Sequence, residues 1–232
     1  MKYLAIKPIK IALERVHKTN AQEHTTGTPI SGLLNNYFPG SKFITTPEQI
    51  QTISNKRPDF TVEMLENEQL KPHVFVEIKS LINSNFNNIL DQLHDTILYT
   101  VDLWGNLGGN FAVFIIAAKG TQIAFFEFYN FQDMLDYYEI ENYKGFRPLG
   151  QLIPELNSFN INHTSEPSDY EEHLRKVDIP HDPEELKKLG VKSTKKIGHP
   201  HIWDLLNKEH EDYIHKLFVH MAENKAGGDI KD

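Results

Sequence analysis

Two runs in the middle of the chain, Phe111 to Ala118 and Thr121 to Phe128, restrict the fold more than any other feature. Both are dense in β-branched and aromatic residues, which suit a pleated, half-buried surface, and only Lys119-Gly120 stands between them. They read as two strands joined by a turn. Phe75, Phe111, Phe114, Phe125 and Phe126 fall in the same part of the chain, so a substantial core belongs there.

Two more strand patterns lie upstream. Phe60 to Leu65 alternates, and Val74 to Ile78 is short, β-branched and aromatic, with the polar stretch Glu66 to Pro72 reading as a hairpin loop. A helix is expected from about Asn85 to Trp104, because Ile89, Leu93, Ile97 and Val101 recur at helical spacing before Gly105 to Asn110 ends it. Near the N-terminus, Ile9 to Asn20 suits a helix with Ile11, Leu13 and Val16 as its apolar residues. Thr25 to Pro29 reads as a break, and Ile30 to Phe38 as a short helix closed by Pro39-Gly40. Phe131 to Tyr138 is a further helix candidate. No internal repeat is present. The order helix, helix, strand, strand, helix, strand, strand, helix specifies a mixed α/β sheet packed by helices.

At 232 residues the chain suits one ample domain, or one domain with a modest extension. The character changes after about Asn157, so residues 1–157 are read as the core domain and 158–232 as a polar linker with a C-terminal helix. His163 to Gly198 is rich in Glu, Lys, Ser and Pro. Ile202 to Glu223 is amphipathic, with Leu206, Tyr213, Leu217 and Met221 along one face, suited to docking on the core, to a protein partner or to self-association. The tail Ala226 to Asp232 is expected to fray.

Composition removes several function classes. The chain has no cysteine, which excludes disulfides and thiolate metal sites and fits an intracellular protein of undetermined compartment. No apolar run reaches the roughly 18 residues a membrane span needs, and the N-terminus lacks the pattern of a signal peptide. The formal charge of -8 opposes tight nonspecific binding to nucleic acid. It weighs less against metal-assisted catalysis, which requires carboxylates and lets a cation invert the local field.

The chemistry is concentrated in the first strand pair. Residues two apart on a strand share a face, so Glu77 and Lys79 project together while Val76 and Ile78 point the other way. An antiparallel hairpin of residues 59–65 and 73–79, centred near Asn67 to Gln69, puts Asp59 beside Glu77. Two carboxylates with an adjacent ammonium suit phosphodiester hydrolysis. The carboxylates and the carbonyl of Ile78 are oxygen ligands for Mg²⁺, and the lysine assists the attacking water or the charged transition state.

Arg57-Pro58-Asp59 followed by Glu77-Ile78-Lys79 resembles the PD-(D/E)XK nuclease superfamily, and the element order is similar to that family's core from about Asn20 to Phe128. The resemblance implies a restriction-endonuclease-like α/β fold, a mixed sheet flanked by helices, here with a C-terminal helical extension. It implies cleavage of nucleic acid, DNA more than RNA, with Mg²⁺ or Mn²⁺ in its place. It also assigns Asp59, Glu77 and Ile78 to the metal and Lys79 to catalysis. An upstream helical acid would be Glu23, with Glu14 as competitor. Gln92 and Tyr99, seven apart on the following helix, would contact substrate. The alternative is a noncatalytic binding module that keeps the fold.

Other constellations fail on spacing. His210 and His215, like His215 and His220, are five apart, whereas zincin ligands sit four apart on one helix face. His199 and His201 lack an evident third ligand. Gly105 to Gly109 follows a helix and lacks the Lys-Ser/Thr ending of a phosphate-binding loop, and no serine nucleophile elbow occurs.

Overall fold

The hairpin of the candidate site turns on Asn67 and Glu68, both with positive φ (50° and 64°), in a computed structural model that describes residues 1–19, 23–47, 58–80, 89, 92–93, 97, 111–130, 146–149 and 202–226. Left-handed backbone at both central positions is the signature of a type I′ turn, whose twist matches that of the strands it joins. The loop is therefore two residues long, not the stretch from Glu66 to Pro72 that polarity suggested. Strands β2 (Phe60–Glu66) and β3 (Gln69–Lys79) run directly into it.

The β2–β3 ladder is regular except at one point. Val62 pairs with Val74 but Glu63 with Pro72, so His73 has no partner on β2. This bulge also explains how a proline sits inside β3, since Pro is tolerated where the ladder is already interrupted.

Strand β1 (Phe43–Pro47), absent from the sequence reading, pairs antiparallel with β2. β3 pairs parallel with β4 (Phe111–Lys119), which pairs antiparallel with β5 (Gln122–Asn130). The turn between them is Gly120-Thr121, one residue later than expected, and Gly120 supplies a φ of 60°. Two further short strands, β6 (Phe146–Pro148) and β7 (Trp203–Asp204), pair with different stretches of β5. The result is a seven-stranded mixed sheet in the order β1-β2-β3-β4-β5-β6, with β7 also on β5.

Helices cover both faces. On one, α1 (Lys7–Lys18), α2 (Glu23–Tyr37) and α3 (Lys208–Glu223) contribute Leu13, Leu33, Leu34 and Phe218 to a core shared with Val62, Val76, Phe114 and Ile116. On the other, the helical residues Ile89, Leu93 and Ile97 pack with Phe75, Ile115, Ala117 and Phe126. Strands buried on both faces explain the nearly continuous apolar runs of β3, β4 and β5.

Several boundaries differ from expectation. Within α1, Ile9, Leu13 and Val16 are buried, whereas Ile11 is 46% exposed. α2 begins at Glu23 and carries Pro29 inside it, where a break was expected. The hydrogen bond a proline cannot donate is set against burial of Ile30, Leu33, Leu34 and Tyr37 on the same helix. α3 starts at Lys208 because the Asn207 side chain caps it by accepting the Glu209 N–H at 2.9 Å.

α3 docks on the core. It buries Ile214, Leu217, Phe218 and Met221, stacks Phe218 on Tyr37 at 4.6 Å between centroids, and leaves Tyr213 partly buried against Trp203. Tyr3 fastens the approach to it by donating its hydroxyl to the Leu205 carbonyl at 3.0 Å. The expectations for Phe131 to Tyr138, for His163 to Gly198 and for residues 227–232 of the tail lie outside the described residues, as do the limits of the helix from about Asn85 to Trp104. No helix among the described residues is long and apolar enough to cross a membrane.

Candidate active site

The bulge at His73 determines which residue faces Asp59. Counting back from the turn without it, Asp59 would lie across from Val76; with it, Phe60 pairs with Val76 and Asp59 stands across from Glu77. The same slip sets the face. Val74, Val76 and Ile78 enter the core beneath α1, α2 and α3, while Phe75 enters the opposite one, and alternation puts Glu77 and Lys79 on the side of Phe75.

Asp59 lies one residue before β2, after the buried Pro58. Its Oδ2 accepts the main-chain N–H of Ile78 at 2.6 Å, so a side chain extends the ladder beyond Phe60. The bond fixes the Asp59 carboxylate against the segment of β3 between Glu77 and Lys79. Glu77 is only 1% exposed, and its Oε1 accepts from Lys79 Nζ at 2.5 Å. Lys79 retains 21% exposure. The ammonium therefore compensates a buried carboxylate while keeping an outlet toward solvent, the pairing a charge needs when it leaves water.

The surrounding residues are unequal in bulk and polarity. Glu77 neighbours Ala117 on β4, which in turn neighbours Ala124 on β5, so the sheet beside the carboxylate carries only methyl groups. Lys79 neighbours Lys119 in the same parallel register. Thr61 and Glu63 continue along β2 on the face of Asp59. Glu63 is 6% exposed, and burial raises its pKa above the ordinary carboxylate range.

The remaining sequence candidates are distributed more widely. Gln92 is helical and partly buried, on the helix that covers this face of the sheet. Tyr99 lies outside the described residues. Glu23 is the first residue of α2, and its side chain is likewise outside them. Glu14 is not brought to the carboxylates: it pairs with Lys10 at 3.9 Å and lines a cavity with Lys2, Leu206 and Glu211 beside α1.

Asp59, Glu77 and the Ile78 carbonyl are hard oxygen donors. That chemistry suits Mg²⁺, which commonly binds through one or two carboxylates and keeps several waters. Among the described residues no three His, Asp or Glu side chains converge as a metal cage.

The sequence pattern reached Asp59, Glu77 and Lys79. It missed Thr61 and Glu63, although their two-residue period from Asp59 was visible. Lys119 was not accessible in that way, because a parallel register has no local signal.

Comparison of the chain with known protein families, with curated proteins and with solved structures found no match.

Proposed function

We propose that the protein is a metal-dependent nuclease of restriction-endonuclease-like fold, hydrolysing phosphodiester bonds of nucleic acid, DNA in preference to RNA. The observation that carries this reading is the clasp at the end of the hairpin. Asp59 is bonded to the N–H of Ile78, between a buried Glu77 and the Lys79 that pairs with it.

Asp59 and Glu77 would hold Mg²⁺, with the carbonyl of Ile78 as a further ligand and Mn²⁺ as a substitute. Bound there, the cation would supply an acidified water and positive charge against the transition state. The chain's own groups do the positioning. Asp59 is held by the β3 backbone, so its carboxylate does not have to be ordered when substrate arrives. Lys79, partly exposed, is oriented by Glu77 and offers an ammonium to a phosphate oxygen or to the attacking water. In the same reading Glu23 supplies an upstream acid, and Gln92 and Tyr99 contact substrate.

The test is incubation of plasmid, single-stranded DNA and RNA with Mg²⁺ or Mn²⁺, with and without EDTA. Wild type cuts at least one of them, EDTA stops the reaction, and Asp59→Ala and Lys79→Ala lose the activity. Equal cutting by either variant removes the assigned site. No cutting with any metal removes the enzyme reading in favour of a binding module.

A further inference from the structure

The C-terminal ends of β3 and β4 carry a second lysine next to the candidate catalytic one. The two strands are parallel from Val74–Phe114 to Lys79–Lys119, and residues paired in a ladder project from the same face of the sheet. Neighbouring strands lie ~4.8 Å apart, so Lys79 and Lys119 leave the backbone side by side. A main-chain hydrogen bond from the Gly120 N–H to the Lys79 carbonyl at 3.4 Å closes the strands together at this end. The turn Gly120-Thr121 follows at once and fixes Lys119 at the last position of its strand.

The two ammonium groups differ in their surroundings. Lys79 is engaged with Glu77 at 2.5 Å, whereas Lys119 is partly exposed and makes no ion pair or side-chain hydrogen bond among the described residues. Beside them, Ala117 and Ala124 keep the sheet surface next to Glu77 low. A chain of phosphates lying along the strand ends would meet Lys79 and then Lys119, with Gln122 of β5 next in that row and only the methyl groups of Ala117 and Ala124 in the row of Glu77 behind it. The carboxyl ends of adjacent parallel strands are also where open α/β sheets commonly receive ligands.

We propose that Lys119 binds the phosphate that flanks the scissile one, so that the substrate is a polynucleotide strand and not an isolated phosphodiester. The proposal rests on the nuclease reading for its scissile phosphate. Lys119 acts as a point charge on the flanking phosphate and selects substrates that carry one.

The test compares wild type, Lys119→Ala and Lys119→Arg on a short oligonucleotide and on bis(4-nitrophenyl) phosphate, which has no flanking phosphate. The ratio of kcat/KM for oligonucleotide over the small diester falls about tenfold in Lys119→Ala, chiefly through KM, and Lys119→Arg restores most of it. A general loss of fold would lower both activities and leave the ratio in place. A ratio equal to wild type in Lys119→Ala overturns the proposal.

A second arm measures oligonucleotide affinity in EDTA against salt. Lys119→Ala reduces the slope of log affinity on log salt by about 0.7, the value for one contact on a single strand. If wild type cuts neither substrate, the nuclease reading fails and this arm alone decides Lys119. An undiminished slope, or no oligonucleotide binding by wild type, overturns the proposal.

Discussion

The Nε2 of His73 lies 2.6 Å from the main-chain carbonyl oxygen of Met221, joining the unpaired residue of β3 to α3. The imidazole is 4% exposed and is bordered by Phe38, Phe43 and Phe114. The bulge that turns Asp59 toward Glu77 is thus held from the far side of the sheet. A C-terminal segment distant in sequence supports the register of the candidate site.

That imidazole gives the fold a dependence on pH. Burial lowers the His73 pKa from the ordinary value of 6.5 to about 4. Between those values the unfolded chain binds more protons than the folded one, so stability falls as the solution is acidified from about pH 6.5 toward 4. The loss from this group totals about 3 kcal/mol. Urea unfolding at pH 7.0 and 4.5 measures it. His73→Phe should be less stable at pH 7.0 by about 1 kcal/mol for the lost hydrogen bond, yet lose less on acidification. Parallel losses in both proteins would remove His73 as the source.

α3 is structural before it is anything else. Phe218 is fully buried, stacked on Tyr37 and edge-on to Phe125 at 5.2 Å. Phe218→Ala should cost about 3–5 kcal/mol in denaturant unfolding, the usual range for deleting a buried ring. Removing residues 202–232 should abolish cooperative unfolding. A truncated protein that melts like the full chain would return α3 to the role of a partner-binding arm.

Asp59 combines a structural bond with a charge, and two substitutions separate them. Asp59→Asn keeps an oxygen to accept the Ile78 N–H but removes the carboxylate, so it should fold nearly as stably as wild type and lose about 100-fold or more in kcat. Asp59→Ala loses the bond as well and should be destabilised by about 1–3 kcal/mol. Equal unfolding midpoints for the two variants would show that the 2.6 Å bond contributes nothing to the strand end.

Glu77 and Lys79 should be coupled energetically. Lys79→Met leaves a carboxylate that is 1% exposed without this ammonium, and Glu77→Gln removes the negative charge opposite the ammonium. Each single change destabilises the fold, and the double variant recovers part of the loss. The coupling in a double-mutant cycle should be about 1–3 kcal/mol, since Lys79 keeps some contact with water. Additive effects would show that the two charges do not stabilise each other.

The sequence made the interior of the sheet legible because β2, β4 and β5 announce themselves through alternation or through dense β-branched and aromatic residues. Glu77 and Lys79 were legible for the same reason, since alternation along Val74 to Ile78 fixes which of its neighbours share a face, whereas the place of Asp59 across from Glu77 depends on the bulge at His73. The turn was less so. Polarity from Glu66 to Pro72 suggested a long loop, but Asn67 and Glu68 alone adopt the left-handed backbone. The bulge at His73 was marked locally only by Pro72, and the other contacts of His73, its hydrogen bond to Met221 and its packing among three phenylalanines, are tertiary. β1, β6 and β7 are short and owe their conformation to neighbouring strands, so propensity did not mark them. Pro29 obscured α2, where packing of the residues after it outweighs the helix-breaking tendency.

Mn²⁺ diffused into a crystal of the protein would test the central claim most directly, read by anomalous scattering at the manganese edge. The account predicts a peak bound by the carboxylates of both Asp59 and Glu77, absent from Asp59→Asn crystals soaked in parallel. Manganese sites elsewhere on the protein, with none at these two residues, would contradict it.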